Sequence, residues 1–237
     1  MHEQDILPRI HELRRLMPRC GTRKLLEHLP GPDMGRDKLF AILRRRGLLV
    51  KRRQRYVLTT TSHHSLPVYP NLLREVTVQH PNSLWVADQT YIRLRQGFCY
   101  LSLVTDLYSR KIVGYDVFPT LESQGPLNAL RMALAHAGST EHLLHHSDRG
   151  SQYSSLAYTE QLQRFGITIS MSEPRRPDQN AVAERVNGIL KTEFYLDTTF
   201  TTFDQAQKAI IESIGIYNNL RLHTSLGMTT PSLKYAA

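Results

Sequence analysis

Three acidic side chains stand where solvation alone does not explain an acid. Asp88 interrupts the apolar run Ser83-Leu84-Trp85-Val86-Ala87-Asp88-Gln89-Thr90-Tyr91-Ile92. Asp148 follows Leu143-Leu144-His145-His146-Ser147, and Glu184 lies in Asn180-Ala181-Val182-Ala183-Glu184-Arg185. An acid inside a central strand is costly unless it is paired or metal-bound. Carboxylates that converge without enough neutralising cations favour a hard divalent metal. A pair of Mg²⁺ ions held in this way activates water and stabilises the leaving oxygen of a phosphodiester. Each acid taken alone also fits a salt-bridged or hydrogen-bonded structural role, and periodicity leaves both readings open. Asp106, Asp116 and Asp178 read as ordinary turn or edge residues.

The elements that must position these acids follow from hydrophobic period and turn residues. Strand-like runs cover 83–92, 98–105 and 111–118, with short connections at Arg95-Gln96-Gly97 and Asp106 to Arg110, so the three form an antiparallel meander. A helix is expected over Glu122 to His136, a fourth strand over Leu143 to Ser147, and a helix over Tyr153 to Phe165. A fifth strand over Ile167 to Met171 and a long helix over Gln179 to Phe194 complete a βββαβαβα order. Ahead of these, apolar residues recur at helical spacing in three segments. Ile6, Leu7, Ile10, Leu13, Leu16 and Met17 form the first, Leu25, Leu26 and Leu29 the second, and Leu39, Phe40, Ile42 and Leu43 the third. Thr22 is placed to cap the second helix, and Gly47 to end the third, which runs from about Arg36 to Arg46. Three short helices with an arginine-rich end suggest a helix-turn-helix module, with a plain helical bundle as the alternative.

The formal charge is +9 over 237 residues. Residues 1–60 hold fifteen Lys and Arg against six Asp and Glu, and residues 61–237 hold fifteen of each sign. A polyanion-binding region joined to an electrostatically balanced body fits this split. Its DNA-contact candidates are Arg44, Arg45 and Arg46 at the end of the third helix and Lys51, Arg52, Arg53 and Arg55 in the basic segment that follows. The polar stretch after it reads as a linker. The expected organisation is thus a helical basic region at 1–58, a linker at 59–74, a core at 75–200 and a helical extension at 201–237. No apolar run approaches the length of a membrane span, and the first residues carry charge where a secretory signal needs an apolar stretch. Cys20 and Cys99 build no disulfide framework and read as reduced, cytosolic thiols. Without a Cys-x-x-Cys, the pairs His63-His64 and His145-His146 make a poor zinc site. His145 and His146 read instead as residues that shape the pocket beside Asp148.

Four separated segments then carry a resemblance. They are Trp85-Val86-Ala87-Asp88-Gln89-Thr90-Tyr91-Ile92; Asp106-Leu107-Tyr108-Ser109-Arg110-Lys111-Ile112-Val113-Gly114-Tyr115; His146-Ser147-Asp148-Arg149-Gly150-Ser151-Gln152-Tyr153; and Asn180 through Glu193. Together they resemble the integrase core of bacterial insertion-sequence transposases, in particular the second-reading-frame transposase of the IS-three family. The tail Tyr217-Asn218-Asn219-Leu220-Arg221-Leu222-His223-Thr224-Ser225-Leu226, followed by Thr230-Pro231, is similar to the end of the same family. The likeness spans about residues 20–233.

The resemblance implies an RNase H-like α/β fold, a mixed five-stranded sheet flanked by helices. It also implies a catalytic trio of Asp88, Asp148 and Glu184 binding two Mg²⁺ ions, with Mn²⁺ able to substitute. Thirty-five residues separate Asp148 from Glu184, the family spacing. A basic residue seven positions after the Glu maps to Lys191, a DNA-backbone contact, and Asn180 maps to a role in ordering the site or the DNA. Where relatives often carry a glycine before the last helix, this chain has Glu173-Pro174-Arg175-Arg176-Pro177, whose Arg175 and Arg176 are candidate phosphate contacts. The implied activity is Mg-dependent cleavage and joining of DNA strands at insertion-sequence ends. Implied partners are terminal-repeat and target DNA, further copies of the chain and an upstream-frame helix-turn-helix protein, in a bacterial cytoplasm and, when DNA-bound, at the nucleoid. The alternatives are a plain RNase H-like nuclease and an inactive DNA-binding remnant, since relatives usually carry more sequence upstream.

Overall fold

The computed structural model describes residues 3–29, 34–50, 66–174 and 176–237. Lys51, Arg52, Arg53, Arg55, His63, His64 and Arg175 lie outside these residues, as does the first part of the expected linker, 59–65. The chain runs α1 (Glu3–Leu16), α2 (Thr22–Glu27), α3 (Arg36–Arg45), β1 (Leu84–Arg93), β2 (Phe98–Asp106), β3 (Ile112–Phe118), α4 (Gln124–Ala135), β4 (Leu144–Ser147), α5 (Leu156–Arg164), β5 (Thr168–Met171), α6 (Ala181–Glu193), α7 (Phe203–Asn219) and α8 (Pro231–Ala236). A 3₁₀ turn, Pro177–Asn180, leads into α6. The five strands form one mixed sheet in the order β3-β2-β1-β4-β5. β1 to β3 are the expected antiparallel meander, and β4 and β5 add parallel to β1 through helical crossovers.

Strand alternation sends side chains to two cores. Trp85, Ala87 and Val104 pack against α4 and α5 on one face. Ile92, Cys99, Leu101 and Leu103 join α6, α7 and the three N-terminal helices on the other. α4 lies flush on the sheet because β3 carries Gly114, where a Cβ would fall 2.0 Å from the Ala129 carbonyl oxygen. Among the described residues no helix is long and apolar enough to cross a membrane.

Two helix starts depart from the periodicity. Residues 153–155 are turn rather than helix. Gly150 O accepts from both Tyr153 N and Ser154 N, and the buried Tyr153 ring packs edge-on against Tyr158 at 5.3 Å. Regular α6 begins only at Ala181, because Pro177–Asn180 wind as a tighter turn.

The tail motif turns out to be a clamp. Asn218 Oδ1 accepts from Ile112 N and its Nδ2 donates to Ile112 O, both at 2.9 Å, so one side chain pairs the free edge of β3 as a strand would. Tyr217 Oη donates to Arg110 O. Arg221 grips Glu193, the last residue of α6, through two hydrogen bonds of 2.9 and 2.7 Å. Lys24 of α2 approaches the same carboxylate at 3.4 Å. Burial pushes Glu193 up, but the hydrogen bonds and charge of Arg221, with Lys24, hold it below the usual carboxylate value.

Basic residues of the first quarter also act inside the fold. Arg19 donates through its guanidinium to Thr192 O and through its backbone to Glu193 O, so it caps the exposed carbonyls of α6. Arg14 ties Pro18 O to Leu48 O.

Asp106 is not the ordinary turn residue it resembles in sequence. It is fully buried and accepts from Ser109 N at 2.8 Å, Ser109 Oγ at 2.5 Å and Asn82 N at 2.8 Å. Asn82 in turn accepts from Trp85 Nε1 and Tyr235 Oη. An amide at position 106 turns one acceptor into a donor aimed at donors. Asp106→Asn is therefore expected to destabilise the fold by about 1–3 kcal/mol, measured by denaturant unfolding. A wild-type midpoint and slope would show that this buried carboxylate is dispensable.

Candidate active site

Asp88 and Asp148 are brought together by strand register. β4 runs parallel to β1 with Ala87 opposite Ser147, so the two aspartates directly follow the last paired residues of strands spaced about 4.8 Å apart. The turn after β4 fixes Asp148, whose Oδ1 accepts from Gly150 N at 2.9 Å. Gly150 leaves room there: a Cβ would stand 3.0 Å from that same oxygen.

α6 brings the third acid. Asn180, Glu184, Asn187 and Lys191 fall on one helical face at spacings of four, three and four residues. Asn180 Nδ2 donates to Ala87 O at 3.0 Å, and Asn187 Nδ2 donates to Asp88 Oδ2 at 2.8 Å. Glu184 is thereby held between two fastenings to the strand that carries Asp88, yet remains solvent-exposed.

The electrostatics register this crowding. The Asp88 carboxyl is pushed up to about 7, first by burial, then by the charge of Asp148, with a smaller push from Glu184 and an opposing hydrogen bond from Asn187. Lys191 is lowered by burial and held up in part by Asp88 and Asp197. Its Nζ lies 4.3 Å from the centroid of the Tyr91 ring.

The surroundings suit a hydrated hard cation. Three buried oxygens near Asp88 have no hydrogen-bond partner among the described residues: Oδ1 of Asn180, Oδ1 of Asn187 and the Tyr153 hydroxyl. Tyr153 is raised well above its ordinary value by burial and by the charges of Asp88 and Asp148, among others. Carboxylates ringed by such oxygens match Mg²⁺, which keeps several waters that need acceptors. As placed, no three His, Cys, Asp or Glu side chains among the described residues stand within reach of one common ion. The acids converge on Asp88 without yet closing into a chelate.

The remaining candidates fall elsewhere. His145 and His146 are fully buried and held to about 3 and 4 by burial, so both are neutral near pH 7. His145 Nε2 lies 2.9 Å from Tyr158 Oη, and the His146 ring nitrogens face Ser170 and Ser172. Arg176 is engaged by Asp178 through bonds of 2.9 and 2.8 Å. Arg44, Arg45 and Arg46 are exposed at the end of α3, away from the trio in sequence and on another element. Sequence reasoning missed Asn187 and Tyr153. Asn187 sits seven residues after Asn180 on the Glu184 face, and that spacing was the available signal.

Comparison with known proteins identifies the family and the fold. An integrase core domain model matches residues 78–177, and a second integrase core model matches 165–231. The chain is 37% identical over 216 residues to an uncharacterised 31 kDa protein of insertion element IS600 from Shigella sonnei, covering 90% of this chain and 79% of that protein. It is 34% identical to the transposase of insertion sequence IS629 from Shigella sonnei, covering 90% and 72%. It is 32% identical to the transposase InsF of insertion sequence IS3A from Escherichia coli K12, covering 92% and 77%. In fold it is similar to a chain of the simian T-cell lymphotropic virus intasome in complex with the PP2A regulatory subunit B56 gamma (TM-score 0.57, 19% identity, 95% and 74% covered). The HTLV-2 integrase catalytic core solved with magnesium in a trimeric form matches at TM-score 0.53 and 20% identity, covering 67% of this chain and 99% of that one. With an RNase H-like sheet, an integrase core and these relatives along most of its length, the chain belongs to the IS-three family of insertion-sequence transposases, enzymes of the DDE polynucleotidyl transferase class.

Proposed function

We propose that Asp88, Asp148 and Glu184 are the catalytic trio of this transposase and hold two Mg²⁺ ions, with Mn²⁺ able to replace them. One observation carries the reading: Asp88 of β1 is pushed up to about 7, first by burial, then by the charge of Asp148 at the end of β4, with a smaller push from Glu184 of α6. When bound, the ions supply charge neutralisation at the phosphate and a nucleophile at neutral pH. The related viral core solved with magnesium supports the choice of metal. Glu184 is exposed, so it can change rotamer to complete the chelate without disturbing the core.

The chain's own groups then position DNA. Asn187 orients the Asp88 carboxylate and Asn180 pins the start of α6 to β1. Lys191 leaves the Tyr91 ring to meet a backbone phosphate as a point charge. Arg44, Arg45 and Arg46, with Lys51, Arg52, Arg53 and Arg55 following in sequence, contact the terminal-repeat duplex, and Arg175 and Arg176, just ahead of α6 in sequence, add phosphate contacts. The reaction is two in-line displacements at phosphorus. Water opens the phosphodiester at the element end, and the freed 3′-hydroxyl attacks a target phosphodiester and expels its 3′-oxygen. Two ends must be held at once, so the working form is a homo-oligomer.

Replacing one carboxylate by its amide keeps shape and removes a full charge. Asp88→Asn, Asp148→Asn and Glu184→Gln are each expected to lower strand cleavage and joining by at least about 10³-fold while DNA affinity is kept or raised. The losses should not add in double variants, because the groups act as a unit. Near-normal cleavage by a folded variant would remove that residue from the trio.

A second expectation follows from the raised carboxyl. A carboxylate raised in the folded state stabilises below its unfolded value, and that contribution is lost as pH rises through the folded value. Without metal, Asp88→Asn should therefore melt progressively higher than wild type from about pH 4, with the gap complete above about pH 7. An upper bound of about 4 kcal/mol follows from the shift between 3.8 and about 7. Added Mg²⁺ should close the gap by raising the wild type alone. Parallel melting curves across pH would contradict the assignment.

The basic end of α3 is tested by salt. Replacing Arg44, Arg45 and Arg46 together with Ser should weaken duplex binding and make the log-affinity against log-salt slope shallower by about 2–3. An unchanged slope would mark these arginines as solvated surface.

A further inference from the structure

One end of the sheet carries aromatic rings on an uncovered face. Register sets Tyr91 opposite Tyr100, Arg93 opposite Phe98, and Tyr100 opposite Phe118. Alternation puts these side chains on the face of Trp85 and Ala87. α4 covers that face as far as its first turn, where a Cβ at Gly125 would meet Phe118 Cβ at 3.0 Å and Ser102 Oγ at 3.3 Å. Beyond it Phe98 is 44% exposed, and Tyr91, Tyr100 and Phe118 are half-buried. Ile92, Cys99 and Leu101, on the opposite face of the same hairpin, are fully buried.

The rings stand among cations. Tyr91 and Phe98 meet edge to face at 5.3 Å. The Arg93 guanidinium lies 5.8 Å from the Phe98 centroid, Lys191 covers Tyr91, and Arg95 is exposed at the hairpin turn. Asp116, the acid on this face, accepts from Asn128 at 2.9 Å. The edge of β1 is also open here. β4 pairs it only to Ala87, and Phe200 bridges it from Leu94. The open stretch starts at Asp88, three residues or about 10 Å along the strand from Tyr91; the Asp88 side chain alternates to the opposite face, and Lys191, on the helical face of Glu184, reaches round this open edge to the Tyr91 ring.

Aromatic faces between cations are the chemistry of a single-strand platform, where rings take bases and cations take phosphates. A scissile phosphate must leave a regular duplex to reach the half-buried Asp88, and the bases beside it then lose their stacking partners. We propose that Phe98 and Tyr91 form a stacking platform for unpaired nucleobases next to the scissile phosphate, with Arg93 and Arg95 on the adjoining backbone. This rests on reading Asp88, Asp148 and Glu184 as the cleavage centre.

The test uses the full chain in EDTA with a short single-stranded oligonucleotide carrying 2-aminopurine. Wild type should bind it and quench its fluorescence by stacking. Phe98→Ala, at an exposed site that leaves the core intact, should weaken binding about tenfold and abolish the quench, with the salt slope unchanged because no ionic contact is lost. Phe98→Trp should restore both. Wild-type affinity and quench in Phe98→Ala would overturn the platform, and so would a loss confined to the salt slope. A change in sedimentation alone, with DNA binding intact, would also overturn it by assigning the face to a second copy of the chain. Cleavage by the trio variants separates the two readings. If those variants are inactive while Phe98→Ala stacks normally, the platform fails and the centre stands. If they cleave while Phe98→Ala loses the quench, the centre fails and the platform stands as a strand-binding surface.

Discussion

A desolvated carboxylate that faces two other acids must be offset by something, and the architecture around Asp88 follows from that need. The protein supplies two neutral amide donors, the Asn187 side chain and the Gln89 backbone, and the attraction of Lys191. None of them cancels the combined push of burial, Asp148 and Glu184. Metal cations would, and the Asn180, Asn187 and Tyr153 oxygens give their waters somewhere to bond. On the proposed reading the site is kept in an electrostatically unfavourable state that metal binding would relieve, at a local cost in stability borne by the rest of the fold.

That cost requires α6 to be held firmly, and its two ends are held by different chemistry. At its start, Asn180 and Asn187 hydrogen-bond to β1. At its end, Arg221 pairs with Glu193 in both oxygens while Arg19 caps the last carbonyls. The second fastening joins α1–α2, α6 and the tail into one unit. The N-terminal helices are consequently more than a charged arm. Arg14, Arg19 and Lys24 serve the packing of the body, and the arginines at the end of α3 are exposed.

Much of this was legible in the sequence. Strand alternation and short turns gave the meander, and the acid inside an apolar strand marked Asp88. The family resemblance pointed to Glu184 and Lys191, and helical spacing then set them on one face with Asn180. What was not legible depended on tertiary partners. Asp106 looks like any turn aspartate until its three donors are seen. The start of α5 shifts because Tyr153 is worth more to the core than to a helix, a preference that periodicity does not contain. Asn218 reads as a polar residue at a helix end, yet it completes a sheet edge more than a hundred residues away. The aromatic hairpin face follows from the register of three strands and the place where α4 begins, and neither is visible in a linear pattern.

The central claim is that Asp88, Asp148 and Glu184 hold divalent ions as one unit on DNA. Electron paramagnetic resonance counting of bound Mn²⁺, on the protein complexed with an uncleavable element end, tests it most directly. The expected result is two bound ions per chain, with both weakened by Glu184→Gln because the three carboxylates act as a unit. Ions bound in equal number by Asp88→Asn, Asp148→Asn and Glu184→Gln would contradict the account and place the metal elsewhere.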